Sequence, residues 1–215
     1  STQSFSLLAV PFFVLAGNLM NETGITSRLI KFCNLLTGHM RGGLAQVSVL
    51  LSCLMGGISG SATADAAMES RILGPDMEKR GYSKGFTAAI LAMGGLITST
   101  IPPSLGLILY GVTGEVSIGR LFLAGMIPGI LMTAALMISV AFISKKRDYK
   151  PEHESFPSMG EVLKGLVENI WALLFPVILI VGIRFGIFTP SEAGAFAVVY
   201  ALFVGLFIYR ELTIS

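Results

Sequence analysis

Three stretches of this chain, Ser117 to Ile143, Ile170 to Ile187 and Ala193 to Tyr209, are apolar over lengths that approach or exceed the roughly 20 residues a helix needs to cross about 30 Å of hydrocarbon. No other feature restricts the fold so strongly, because inside a bilayer every main-chain N–H and C=O must find its partner within the protein. A closed barrel would show short segments of alternating polarity, whereas these runs are continuous. The expected class is an all-α integral membrane protein, a multi-span helical bundle. Composition agrees: 53% of the 215 residues are hydrophobic and 13% charged, with a mean hydropathy of +0.77, against roughly 25% charged residues in soluble domains. No nucleic-acid signature accompanies it.

Two helical segments are too short to cross. Gly43 to Met55 is 13 residues, about 20 Å of helix at 1.5 Å per residue. It meets the cluster Gly56-Gly-Ile-Ser-Gly-Ser, after which Ala62 to Leu73 makes a second short helix ending at Gly74-Pro75. Two half-length helices joined by a polar tip, with basic residues at both feet, describe a re-entrant hairpin. Immediately afterwards a helix from Phe86 to Thr98 breaks at Ser99-Thr-Ile-Pro-Pro-Ser and resumes over Leu105 to Val112. The paired prolines remove two main-chain donors and leave the carbonyls before them free.

Charge distribution tests the hairpin independently. If residues 43–73 enter and leave on one side, thirteen of the fifteen Lys and Arg residues, from Arg28 to Arg210, fall on the cytoplasmic side and only Arg120 and Arg184 lie outside, as the positive-inside rule requires. The remaining elements are a first apolar helix over Leu7 to Met20, an amphipathic helix over Ile25 to Thr37 at the interface, a polar loop from Lys145 to Gly160, and an interfacial helix over Glu161 to Asn169 ahead of Trp171. The units expected are residues 1–42, a transport unit over 43–112, a helix and cytoplasmic loop over 113–160, and 161–215 leading to a second half. The start at Ser1-Thr-Gln-Ser-Phe has neither methionine nor a basic n-region. A missing upstream part, and a fragment overall, are therefore expected.

The tip supplies hydroxyls and exposed carbonyls, which a hard cation such as Na+ takes in place of water. The second short helix begins near Ala62, so its free N–H groups and positive dipole end would face an anion. Broken helices with both features near the midplane are the sequence pointer to an ion-coupled transport site. Asp65 is a functional carboxylate by position, or else a cap or the partner of a Lys or Arg, with Glu69 one turn away on the same face. Ser61 is an ion ligand or bonds its own helix turn. Gly57 and Gly60 serve turn and close packing first. Thr98, Ser99, Thr100 and Ser104 bracket Pro102-Pro103, as ligands or as partners of the kinked backbone. Asn18 either bonds across helices or gives its amide oxygen to an ion. Cys33 and Cys53 read as packing residues, and His39 and His153 as interfacial.

Rival functions fare worse. Gly57-Ile-Ser-Gly matches the surroundings of a rhomboid-like serine nucleophile, but such a serine needs a base within hydrogen-bond reach, and neither histidine lies in an apolar helix. An aspartyl mechanism would have to use Asp65 and Glu69 of one helix. A scaffold subunit would not need two broken helices beside polar clusters, and no charge ring or repeated filter marks a channel.

Six ordered motifs carry a resemblance over nearly the whole chain: Pro11-Phe-Phe-Val-Leu-Ala-Gly-Asn-Leu-Met, Gly38-His-Met-Arg-Gly-Gly-Leu, Gly57-Ile-Ser-Gly-Ser-Ala-Thr-Ala-Asp, Ile101-Pro-Pro-Ser, Ser117-Ile-Gly-Arg-Leu-Phe-Leu-Ala-Gly and Gly186-Ile-Phe-Thr-Pro-Ser-Glu-Ala. Together they resemble the large membrane subunit of tripartite ATP-independent periplasmic (TRAP) transporters. The resemblance implies a bacterial or archaeal inner-membrane permease importing organic acid anions, of C4-dicarboxylate or sialic acid type, with Na+ and without ATP. It implies a periplasmic binding protein that delivers the anion, a small membrane subunit, separate or fused, and an elevator motion of a transport domain with two re-entrant hairpins. By the same resemblance, Na+ would be bound by Gly57, Ser61, Thr98, Thr100, Pro102 and Asn18, and the anion by Ser59, Gly60, Ser61, Thr63, Asp65 and Ser104. Thr63 stands where relatives often carry a small apolar residue. The second hairpin would follow Ser215, so the chain would hold one half of an inverted-repeat plan.

Overall fold

The computed structural model describes residues 8–153 and 155–211, without the side chains of Arg184 and Pro190. Every regular element among them is helical. In chain order these are α1 (Ala9–Glu22), α2 (Ile25–Thr37), α3 (Gly43–Gly56), α4 (Ala62–Ile72), α5 (Gly74–Lys79), α6 (Lys84–Thr100), α7 (Leu105–Thr113), α8 (Ile118–Arg147), α9 (Met159–Glu168), α10 (Ile170–Arg184) and α11 (Pro190–Phe203), which ends in a π-helical turn over Val204–Ile208. The 30-residue α8 and the 18 residues Ser191–Ile208 are each long and apolar enough to cross a membrane. The α6–α7 and α9–α10 pairs pass the same test together, bent by 46° and 67° respectively.

Most expected segments fall where the sequence puts them, and Leu7 lies outside the described residues. One helix was not expected. Pro75, read as a terminator, instead opens α5 from its first turn, where its missing N–H is of no consequence to the helix and its fixed φ suits it. The amphipathic α2 is not a free surface helix either: Leu29 and Cys33 are fully buried, and Gly165 of α9 lets Phe32 and Leu35 approach its backbone.

The core forms where α1, α3, α10 and α11 meet, around Phe13, Met20, Leu51, Met55, Phe175 and Leu179. α1 lies against α11, with Gly194 set against Ala9 and Phe12. α6 runs behind the hairpin and touches both arms through adjacent glycines, Gly94 against the Ser52 side chain of α3 and Gly95 against the Ala62 carbonyl of α4. The far side of the α6–α7 break rests on α8, whose Gly125 and Gly129 admit Thr100 and Ile101.

Arg28 pairs with Glu211 at 3.2 Å and its guanidinium sits 4.1 Å over the Tyr209 ring. Arg80 pairs with Glu152 at 2.6 Å, Arg147 donates to the Ser83 hydroxyl at 3.0 Å, and the Glu152 amide donates to the Gly38 carbonyl at 2.7 Å. These contacts form two groups, segment 24–28 with 209–211 and, at the polar end, segments 38–42 and 80–84 with 147–153. Burial holds the Glu152 carboxyl above the usual glutamate range, against the lowering pull of Arg80.

Candidate functional site

Two N-terminal serine caps build the site, and a third starts α6 at the polar end. Ser61 is extended and its hydroxyl accepts from the Ala64 amide at 3.4 Å, starting α4. Ser104 does the same for Leu107 at 3.4 Å and starts α7. Ser83 caps α6 through Phe86. Serine at these positions satisfies an orphan donor that the helix cannot. The Ser61 hydroxyl is thus bonded to its own helix turn, with one lone pair remaining for another partner.

The hairpin tip and the break meet. Gly60 adopts φ +62°, and a Cβ there would stand 2.5 Å from the Pro103 carbonyl oxygen, so only glycine fits. Its own carbonyl accepts from the Leu105 amide at 3.1 Å, a main-chain bond between tip and break. On the other side of the tip, Gly56 faces Ile101 and the Thr98 carbonyl oxygen, which a Cβ would approach to 3.2 Å. The helical donor to that carbonyl would be residue 102, a proline, so Thr98 offers an oxygen without an α-helical partner. Ser99 is in the same position opposite Pro103, and there the Ser104 hydroxyl donates to it at 2.6 Å. The Pro102-Pro103 bond is cis.

At the centre is Asp65, 2% exposed. It accepts from the Ser59 hydroxyl at 2.5 Å, and the Thr98 side chain lies beside it. Among the described residues it has no ion-pair partner, so the Lys or Arg considered from sequence is not what holds it. Ser59, Thr98 and Ser104 are also buried. Carboxylate, hydroxyl and carbonyl oxygens are the donor set a hard cation takes.

A second buried carboxylate lies one turn further on. Glu69 is 1% exposed and accepts from the hydroxyls of Ser48 and Ser52 at 2.6 and 2.7 Å, closing the hairpin arm to arm. Thr98 in turn donates to the Ser52 carbonyl at 3.1 Å. The sequence reading missed Ser48 and Ser52. Their signal was a serine pair four residues apart in an uncharged half-helix, facing a carboxylate on the opposite arm.

Of the sequence candidates, the structure gathers Ser59, Gly60, Ser61, Asp65, Thr98 and Ser104, with Pro102 buried in the break. The others stand apart. Gly57 is at the tip but faces Pro176 of α10. Thr100 turns toward α8, its hydroxyl donating to the Leu96 carbonyl at 2.8 Å. Thr63 is exposed on the first turn of α4. Asn18 is exposed on α1, next to Gly17, against which Ser59 packs. The two histidines are at the polar end: the His39 ring meets Phe156 at 4.7 Å, and the His153 amide bonds Gly38. Ser59 faces a carboxylate.

Across residues 1–215 the chain matches the family model of the tripartite ATP-independent periplasmic transporter, DctM component. The chain belongs to the DctM family. Its TRAP relatives include the sialic acid large permease protein SiaM of Vibrio cholerae, 46% identical over 212 residues. The 2,3-diketo-L-gulonate large permease protein YiaN of Escherichia coli is 44% identical over 212 residues. In each case the match covers 99% of this chain and 49% of the relative. The C4-dicarboxylate large permease protein DctM of Pseudomonas aeruginosa is 39% identical over 217 residues, covering the whole chain and 50% of that protein. This DctM-family chain therefore spans about half the length of the curated relatives it matches, and its family is one of transporter permeases rather than enzymes.

Proposed function

We propose that this chain is part of the permease of a Na+-coupled secondary transporter that imports organic acid anions across a bacterial or archaeal inner membrane. The observation that carries the reading is the junction of hairpin tip and helix break, held by the Leu105 to Gly60 bond at 3.1 Å, with buried Asp65 bonded to Ser59 beside the Thr98 side chain. Na+ binds at this junction, on Asp65 and Ser59 with an oxygen of Thr98. Ser61 and Pro102 lie at the same junction, while Gly57, Thr100 and Asn18 face Pro176, α8 and the α1–α4 groove. The anion lies outside it, toward Ser61, Thr63, Gly60 and Ser104, where the first amides of α4 have no helical acceptor.

The order of events follows from charge. A carboxylate brought near Asp65 in low dielectric is repelled, and Na+ at the junction removes that repulsion. Ion binding therefore raises anion affinity, and by linkage the anion raises Na+ affinity. A periplasmic binding protein delivers the anion, as the relatives' membership of a periplasmic-transporter family supports. A small membrane subunit braces the permease, separate or fused. Residues 43–112 move as the transport unit.

The test is uptake of radiolabelled C4-dicarboxylates, sialic acid and sugar acids into proteoliposomes holding the complete large subunit and its small subunit. The binding protein and an inward Na+ gradient are each supplied or withheld. Uptake that requires both is the expected result. Uptake indifferent to Na+ overturns the coupling, and movement of no acid overturns the transport reading.

A further inference from the structure

Outside this junction, a groove of about 550 Å³ runs between the C-terminal part of α1 and the outer side of α4. It begins at Ala64, one turn from the hairpin tip, and ends at Arg71 in the last turn of α4. Asn18, Asn21 and Glu22 of α1 form the opposite wall. The groove thus connects the depth of the tip, marked by the contact of Gly17 with Ser59, with the end of the molecule that carries the basic segments.

Its polar groups are unspent. Arg28 and Arg80 are engaged in ion pairs, while Arg71 is exposed and bonds no described residue. Asn18 is exposed on a helix that is otherwise largely apolar. The Asn21 side-chain oxygen accepts from the Thr26 hydroxyl at 2.7 Å, which leaves its NH2 group to donate elsewhere. Two amides and a guanidinium are the donors a carboxylate takes, and a guanidinium takes it by two parallel bonds. Glu22, in the same groove, is the acidic group that opposes an anion there.

We propose that this groove is the cytoplasmic leg of the anion's path, in which Arg71 receives the substrate carboxylate as it leaves the hairpin tip. Asn18 and Asn21 line the way down, and Glu22 competes for Arg71, so that the acid is released rather than held. This rests on the transport reading above. Arg71 also complements the dipole of α4 at its C-terminus, and that structural role predicts a change in stability, not in affinity on one side.

The experiment uses the complete transporter in phosphatidylcholine vesicles. Exchange of whichever acid the wild type carries is measured with the acid varied on the cytoplasmic and then on the periplasmic side. Arg71→Gln raises the cytoplasmic KM about tenfold, the loss of one charge-assisted pair, with the periplasmic KM, Na+ activation and Tm unchanged. Arg71→Lys restores most of the affinity, and Glu22→Gln lowers the cytoplasmic KM. Equal effects on both sides, a parallel shift in Na+ activation, or no effect overturns the proposal. So does an Arg71→Gln defect seen only when phosphatidylglycerol is added, which assigns Arg71 to a lipid headgroup. A wild type that moves no acid refutes the transport reading instead.

Discussion

The hydroxyl of Ser52 reaches the Glu69 carboxylate across the hairpin at 2.7 Å, and the carbonyl of the same Ser52 receives Thr98 at 3.1 Å. One residue therefore joins both arms of the hairpin to the helix behind them. Each bond is buried, where a polar group without a partner is expensive.

Removing Glu69 should loosen the hairpin without touching the junction. In Glu69→Ala the Ser52 hydroxyl can fall back on the Ser48 carbonyl, 3.0 Å away, but the Ser48 hydroxyl loses its acceptor. The expected destabilisation is about 1–3 kcal/mol for that group, with a further loss from the vacated volume. Glu69→Gln keeps an acceptor oxygen and should recover most of it. Thermal unfolding of the complete protein in detergent checks both.

Asp65→Asn should act on ion coupling. The substitution keeps the shape and an acceptor for Ser59 but removes the charge beside the Thr98 side chain. The Na+ concentration for half-maximal uptake should rise at least about tenfold, on the scale of a lost charge-assisted contact, with Tm little changed. Ser59→Ala should shift it less, since Ser59 offers a neutral hydroxyl oxygen and not a charge. A Na+ activation curve identical to wild type for Asp65→Asn would remove Asp65 from the ion site.

Gly60 and Gly81 form a matched pair. Both have positive φ, +62° and +85°, but a Cβ at Gly81 meets nothing within 4 Å whereas one at Gly60 meets the Pro103 carbonyl. Alanine at either costs about 1–2 kcal/mol of backbone strain. Only Gly60→Ala should lose transport, because it must push the tip off the break. Comparable uptake by the two variants would contradict that close approach.

Glu152 sets a pH dependence at the polar end. Its carboxyl is raised by burial despite Arg80, so the folded protein holds this proton more tightly than the unfolded chain does. The corresponding stability is present below the ordinary glutamate value of about 4.3 and is lost as pH rises through the raised folded value. The Tm advantage of wild type over Glu152→Gln should therefore shrink as pH is raised from about 4 through that window. An advantage that grows with pH would mean the Arg80 pair outweighs burial.

Much of this was legible because local rules act alone. Helix length, the Gly/Ser tip, the double proline and the charge asymmetry each speak from a few consecutive residues, and the two half-helices followed from them. Pro75 misled because the same proline that ends one helix is favoured in the first turn of the next. The closing of the arms through Ser48, Ser52 and Glu69 depends on which faces of two antiparallel helices meet, which period alone does not fix. The same applies to Thr100 and Asn18: polar residues beside the right motif, turned by helix rotation toward α8 and toward the groove.

The main-chain bond from Leu105 to Gly60 has a mechanical meaning. A tip that swung away from the break by itself would have to give up this bond, leaving a main-chain donor and acceptor without partners. Tip and break are therefore coupled, so that a displacement of one carries the other with it, as the sides of a drawer stay square when it is pulled.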